Sequence, residues 1–393
     1  MRVLKIIHGF PPDYMAGSEV YSYYLAKELI NQNIETFVFT RVENEFDDNY
    51  KIYNEQYENI NIQRVNKPKK DYLYEDKFYD KNIDEIFENY LLEIKPDIVH
   101  IGHLSHLSTN IIKIIKKYNI PIVYTIHDFW LFCIKGQMIN KNNEICKQPS
   151  VENCLACSNY LVQYKQVEEA FNHMREAINL IDVFISPSHT LRNFFTKQGI
   201  DKDKIKYLKY GFDTQKIKFD KKKFTKTSKI NFGFMGRVIP TKGIKVLVEA
   251  FKELPEETLF VYGNIGAQKR FLETKNIIFK GQYNNNNINE VLKNIDVLIV
   301  PSIWYENAPL VIQEAFLAGV TVITSDIGGM AELVKDKING FTFKVGSSEE
   351  LRILIKKISN NPTILNNLVS SKDIVVDIKD DVEEIVKIYK ALL

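Results

Sequence analysis

Short runs of apolar, mostly β-branched residues recur along the chain, separated by stretches in which apolar positions return every three or four residues. The short runs read as buried parallel strands and the longer stretches as helices laid on both faces of a sheet. Strands are expected over residues 3–8, 36–40, 98–100, 122–126 and 183–186, and again over 230–235, 259–262, 297–300 and 320–324. The same alternation in both halves predicts an α/β chain of two doubly wound, Rossmann-like parallel-sheet domains. The break between them is expected between Gly211 and Lys229, where residues 216–229 are charged and poor in apolar side chains. The expected organisation is a first domain over 1–212, a linker over 213–229, a second domain over 230–375 and a helical tail over 376–393. A linker there leaves a cleft between the domains, and open α/β sheets bind ligands at the carboxyl ends of their strands.

Two segments at such strand ends carry candidate chemistry. In Pro301-Ser-Ile-Trp-Tyr-Glu-Asn-Ala-Pro-Leu-Val-Ile-Gln-Glu-Ala315 an apolar strand is closed by Pro301, and Pro309 suits the first turn of a helix because its missing N–H has no partner there. Glu306 then lies in the loop and Glu314 inside the helix. The free N–H groups of Asn307, Ala308 and Leu310 around that turn form a favoured phosphate site, while two carboxylates can accept from sugar hydroxyls. A carboxylate before a helix is also often no more than a cap. In Gly236-Arg237-Val-Ile-Pro-Thr-Lys242-Gly243 a glycine turn carries two cations between the strand at 230–235 and an amphipathic segment at 244–251. Arg and Lys there can neutralise a diphosphate, although surface cations are usually only solvated charges.

Taken together, Gly-Arg-x4-Lys-Gly and Glu-x7-Glu, followed by the Gly328-Gly329 turn, resemble the retaining nucleotide-sugar glycosyltransferases of family 4, which have the GT-B fold. The resemblance covers nearly the whole chain. Ala16-Gly17-Ser18-Glu19 is similar to the family's glycine loop beside the donor phosphates, with one glycine where many relatives carry two. Asp97-Ile-Val-His100, Tyr124-Thr-Ile-His127-Asp128 and Ile185-Ser186-Pro-Ser188 resemble strand ends of the same half. The resemblance implies that the tail over 376–393 crosses back onto the first domain.

It also implies a mechanism: transfer of a glycosyl group from a nucleoside diphosphate sugar, UDP- or GDP-linked, to an acceptor hydroxyl with the anomeric configuration kept. Arg237 and Lys242 would stabilise the leaving diphosphate, helped by Gly17, Gly236 and the turn Asn307, Ala308, Pro309 and Leu310. Glu306 would grip hydroxyls of the donor sugar, Glu314 the ribose hydroxyls, and His127 would reach the transferred sugar. His103 and Asp128 are weaker acceptor-side candidates, and His8 and Gly9 also stand at a strand end. No catalytic metal is required in this scheme, because cations and a helix end take its place. The two glutamates are not read as a glycosidase pair, since one serves the sugar and the other the nucleoside. The rival readings are a nucleotide-sugar epimerase, a phosphorylase and a non-catalytic sugar-nucleotide-binding protein.

Composition narrows the picture further. A chain of 393 residues that is 45% hydrophobic has enough apolar material for two cores, and a formal charge of +2 gives no electrostatic case for nucleic acid as a partner. Its apolar runs fall short of a membrane span and its first residues enter a strand directly, so a soluble, cytoplasmic protein is expected. The acceptor is expected to be a sugar, glycan or lipid-linked molecule. The aromatic and basic stretch 67–79 offers a peripheral membrane contact at the inner face, or more simply a solvated helix. The run of asparagines at 284–287 reads as a loop. All four cysteines, Cys133, Cys146, Cys154 and Cys157, fall in one short window and predict an insertion over 133–157 held by a structural zinc. An iron–sulfur cluster or unligated thiols are the alternatives.

Overall fold

A computed structural model describes residues 1–71, 73–158, 161–265, 274–283 and 287–393. The chain divides into two units, the first made of 1–141, 146–212 and 377–393, the second of 142–145 and 213–376. The asparagines at 284–286 lie outside the described residues.

In the first unit the chain order is β1 (Arg2–Ile6), α1 (Gly17–Asn31), β2 (Glu35–Val42), β3 (Ile52–Tyr57), β4 (Ile60–Asn66), α2 (Lys81–Ile94), β5 (Ile98–Ile101), α3 (Ile111–Lys117) and β6 (Ile122–Thr125). It continues with α4 (Val151–Cys157), α5 (Tyr164–Leu180), β7 (Val183–Ser186), α6 (His189–Lys197), β8 (Ile205–Tyr207) and β9 (Gly211–Phe212). Eight strands form one sheet in the order β3-β4-β2-β1-β5-β6-β7-β8. Only β3 runs antiparallel, paired with β4 at the edge. The central strands β1, β5 and β6 are buried along nearly their whole length, as strands covered on both faces must be.

The second unit contains β10 (Asn231–Met235), α7 (Ile244–Lys252), β11 (Thr258–Tyr262), β12 (Ile277–Gly281), α8 (Ile288–Lys293), β13 (Val297–Val300), α9 (Leu310–Ala318), β14 (Thr321–Ser325), α10 (Gly328–Leu333), β15 (Phe341–Phe343) and α11 (Ser348–Asn360). Its six strands are all parallel, in the order β12-β11-β10-β13-β14-β15. The amphipathic face of α7 buries Ile244, Leu247, Val248 and Phe251 against Phe232, Leu259 and Val297 of the sheet. Serine caps such as Ser188 before α6 and Ser347 before α11 accept from N–H groups of the first turn and so fix where those helices begin.

The last helix, α12 (Ile378–Leu392), belongs to the first unit and packs on α1 and β9. Its buried face is not purely apolar. Asp381, buried on α12, accepts at 2.8 Å from the Tyr21 hydroxyl and at 2.8 Å from the Gly211 N–H. Tyr389 bonds His100 Nδ1 at 2.5 Å, and the other ring nitrogen of His100 meets Thr125 Oγ1 at 2.7 Å. Lys5 on β1 is fully buried, and desolvation lowers its pKa to about 7 against the opposing pull of Asp381. Burial in turn raises the Asp381 carboxyl to about 6.

The stretch 67–79 is not a solvated helix. Its described residues form two short 3-10 turns, Lys69–Asp71 and Glu75–Lys77, and Lys67 is buried with its ammonium 2.5 Å from Asp80. That ion pair takes Lys67 out of the basic face, while Lys69, Lys70, Leu73 and Tyr79 of the same stretch stay exposed. Among the described residues no helix is long and apolar enough to cross a membrane.

Candidate functional site

In the second unit β10 ends at Met235 and leads into Gly236, whose φ of +142° lets the chain turn sharply. Arg237 follows as an exposed side chain, and no hydrogen bond or ion pair holds its guanidinium among the described residues. Pro240–Lys242 make a 3-10 turn capped by Gly243 at φ +76°. A Cβ on Gly243 would lie 1.8 Å from the carbonyl oxygen of Pro301, so this turn rests directly on the end of β13.

That contact carries Lys242 to the loop after β13. Its ammonium donates to Glu306 Oε1 at 2.5 Å, and the same oxygen accepts from Ser302 Oγ at 2.8 Å and from the Trp304 indole N–H at 2.9 Å. The loop is held behind Glu306 as well. Gly329 at the start of α10 donates its N–H to the Glu306 carbonyl at 2.8 Å, and a Cβ there would fall 1.3 Å from the Asn307 carbonyl oxygen. Gly329→Ala is therefore expected to push the 306–307 backbone aside, costing about 1–3 kcal/mol of stability by overpacking. A denaturant titration reads the stability loss, and donor KM is expected to rise with it.

Asn307 is buried and Ala308 half-buried, and Pro309 caps α9, which begins at Leu310 rather than at the proline. At the start of α9 the Ile312 N–H donates to the Pro309 carbonyl at 3.1 Å, while those of Leu310 and Val311 come before any intrahelical acceptor and lie at the positive end of the helix dipole. Inside α9, Glu314 is buried, and its Oε2 has no hydrogen-bond partner among the described residues. Burial raises this carboxyl to about 7, with Lys216 pulling the other way. Tyr283 is also affected: burial, and then the charge of Glu314, push its phenol pKa up.

In the first unit His127, Asp128 and His103 stand at the ends of β6 and β5. His127 Nδ1 bonds the Tyr210 hydroxyl at 2.5 Å. Desolvation, followed by Lys5 and His103, holds the His127 pKa well below 6.5, so the ring is neutral near pH 7. Asp128 Oδ1 accepts from the Trp130 N–H at 2.8 Å, and Oδ2 lies 3.4 Å from His103 Nε2. Since His103 Nδ1 accepts from the Ser105 N–H at 3.0 Å, its proton sits on Nε2, facing Asp128. His8 joins this group, with its ring centroid 4.3 Å from that of His103 and its Nε2 3.3 Å from Glu19. Gly17 opens α1, and Glu19 already supplies an acidic side chain in that helix's first turn. This cluster and the Arg237–Glu314 group are thus two constellations, one in each unit.

The zinc expected on the cysteines is not supported by their arrangement. All four are free thiols, and among the described residues no group of three or more His, Cys, Asp or Glu is disposed to hold a metal ion. Burial, and then the charges of Cys133, Cys146 and Cys157, push the Cys154 thiol up to about 12, and Cys157 Sγ is turned to the Ile139 carbonyl at 3.7 Å.

Motif reading missed Ser302, Trp304, Lys216, Tyr283 and Tyr210. Ser302 and Trp304 stand inside the quoted motif, where an acceptor as buried as Glu306 calls for nearby donors. Nothing in the local sequence points to Tyr210 or Tyr283.

Comparison with known proteins places this geometry. Two parallel-sheet units with a basic glycine turn and a carboxylate loop at the strand ends of the second define a GT-B glycosyltransferase. Residues 15–216 match Glycosyltransferase Family 4 and residues 215–372 match Glycosyl transferases group 1. The chain belongs to glycosyltransferase family 4. Over 85% of its length it is 23% identical to an uncharacterized 42.6 kDa protein in the cps region of Klebsiella pneumoniae, covering 87% of that protein. Over 45% of its length it is 29% identical to the UDP-Gal:alpha-D-GlcNAc-diphosphoundecaprenol alpha-1,3-galactosyltransferase of Escherichia coli, covering 55% of that enzyme. Its fold matches sucrose-phosphate synthase from Thermosynechococcus elongatus with a TM-score of 0.75 at 16% identity, over 100% of this chain and 98% of the other. It matches HepE from Anabaena, solved with UDP and glucose, with a TM-score of 0.67 at 17% identity and full coverage of both chains.

Proposed function

We propose that this glycosyltransferase moves a hexose from a UDP- or GDP-linked donor to an acceptor hydroxyl in glycan, polysaccharide or glycolipid biosynthesis, with retention of the anomeric configuration. The observation that carries the reading is the Lys242–Glu306 pair at 2.5 Å, on the same glycine turn as the exposed Arg237, which makes no ion pair among the described residues. A cation without a counter-ion and a second cation shared with one carboxylate together suit a group with two negative charges. In the reaction the bond from the anomeric carbon to the β-phosphate oxygen breaks and a bond to the acceptor oxygen forms on the same face. The acceptor proton passes to a phosphate oxygen. Charge grows on the diphosphate, where Arg237, Lys242 and the first-turn N–H groups of α9 stabilise it. Glu306 Oε2, the oxygen left over from the three donors on Oε1, accepts from the sugar. His127, neutral and oriented by Tyr210, holds a sugar hydroxyl by hydrogen bonding rather than by charge.

The E. coli relative is named for a UDP-galactose donor and a diphosphoundecaprenol-linked acceptor, and HepE was solved with UDP. These support a uridine donor and a lipid-linked acceptor. The deciding experiment is a thermal-shift and transfer panel of UDP-, GDP- and ADP-sugars, in which a cognate donor raises Tm by mass action. Epimer formation, or binding without hydrolysis or transfer, would overturn the reading.

Glu314 adds a pH dependence. Ribose hydroxyls donate, so donor binding favours the ionised carboxylate, whereas the free protein holds this group protonated below about 7. Donor binding is therefore expected to release a proton below that pH and to weaken as pH falls. Calorimetry in buffers of different ionisation enthalpy measures the proton release, and Glu314→Gln is expected to abolish both it and the pH dependence of affinity.

A further inference from the structure

The Lys242–Glu306 pair poses a problem for the chemistry assigned to it. In the structure the Lys242 ammonium is bonded to a carboxylate that is only 7% exposed. If Lys242 swung fully to a diphosphate, it would leave behind a buried negative charge that had lost its counter-ion, and such a charge is strongly destabilising. If it stayed on Glu306, its charge would be largely spent before the leaving group arrived.

Trp304 touches both members of the pair. Its indole N–H donates to Glu306 Oε1 at 2.9 Å, and the Lys242 ammonium lies 5.9 Å from the centroid of its ring, within reach of a cation–π attraction. The Ser302 hydroxyl supplies a second donor to the same oxygen at 2.8 Å. The loop geometry that presents the indole is fixed by the bond from the Glu306 N–H to the Trp304 carbonyl at 2.9 Å.

We propose that Trp304 is a positioning residue that releases Lys242 to the diphosphate: with Ser302 it keeps Glu306 Oε1 hydrogen-bonded, while its ring face holds the ammonium close as Lys242 turns from carboxylate to phosphate. No proton or covalent bond moves in this step. Only the hydrogen bonds of the ammonium are redistributed. A residue with a donor and no aromatic face would serve the carboxylate alone, and a phenylalanine would serve the cation alone. The inference rests on the donor reading above and deepens it.

The test compares wild type with Trp304→Phe, Trp304→His, Ser302→Ala and the Ser302→Ala/Trp304→Phe double variant, each first checked for wild-type thermal unfolding. Nucleoside diphosphate and monophosphate affinities are measured by calorimetry, alongside kcat and donor KM. Trp304→Phe is expected to lower kcat and diphosphate affinity about tenfold, the scale of one hydrogen bond to a charged group, and to leave monophosphate affinity unchanged. A general packing role would weaken both nucleotides alike. Trp304→His, which keeps a ring N–H, is expected to recover much of the loss. The double variant is expected to lose more than the product of the two single effects, because Glu306 then has no replacement donor. Diphosphate affinity and kcat within twofold of wild type in both Trp304→Phe and the double variant would overturn the proposal, and if Trp304→Phe does not fold, the same result in Trp304→Leu, which removes both the donor and the ring face, would overturn it. Wild-type protein that binds no nucleoside diphosphate would overturn the donor reading, and this inference with it.

Discussion

Lys242→Ala is expected to lower kcat by about 10²–10³, the loss found when one donor aimed at developing transition-state charge is removed. Arg237→Ala is expected to fall in the same range, and it is the cleaner of the two. Arg237 is exposed and makes no ion pair among the described residues, so its removal strands nothing, and stability should stay within about 0.5 kcal/mol of wild type. Lys242→Ala also deprives Glu306 of one of the three donors on Oε1, leaving Ser302 and Trp304. Both substitutions remove charge that matters most as the sugar–phosphate bond breaks, so the deficit is expected in kcat more than in donor KM. Steady-state kinetics with saturating acceptor measure the split. Unchanged kcat in both variants would remove these two cations from the mechanism.

Asp381→Ala is expected to cost about 3–5 kcal/mol of stability, the effect of deleting one partner from a buried charged network. Three groups lose their acceptor or counter-charge at once: the Tyr21 hydroxyl, the Gly211 N–H and the Lys5 ammonium. Lys5 and Tyr21 are buried, so bulk solvent does not replace the lost partner. Asp381→Asn keeps an oxygen to accept from Tyr21 and Gly211 and is expected to be milder. Denaturant unfolding of the two variants reads the difference. Equal stability of Asp381→Ala and wild type would mean that α12 is held by its apolar face alone, through Val382, Ile385 and Val386.

Periodicity was enough to find most interior strands, though not β4, where Asn61, Gln63 and Arg64 break the apolar run. Val183–Ser186 and Val297–Val300 form as expected to the residue, because a strand covered on both faces is mostly apolar. Edge strands escaped for the opposite reason. β3 is mostly exposed and polar, and in β12 the apolar run Ile277 to Phe279 is cut short by Lys280 and Gly281. The segment around Lys67 misled because composition cannot show that a lysine has a buried carboxylate, Asp80, waiting for it. For the cysteines, closeness in sequence carried over to closeness in space, since their charges act on one another, but no metal-ligand group is found among the described residues.

Glycine turns, helix starts and the family signature are local in the chain, since the backbone geometry they require is set by neighbouring residues, and the sequence by itself determined them together with the α/β class. Only the tertiary structure decided that Lys242 reaches Glu306 across 64 positions, that Trp304 and Ser302 share the same oxygen, and that Asp381 meets Tyr21 across 360. Such contacts depend on where separate strands end in space. The energy of a buried charge depends on every group around it, and a one-dimensional pattern does not hold that information.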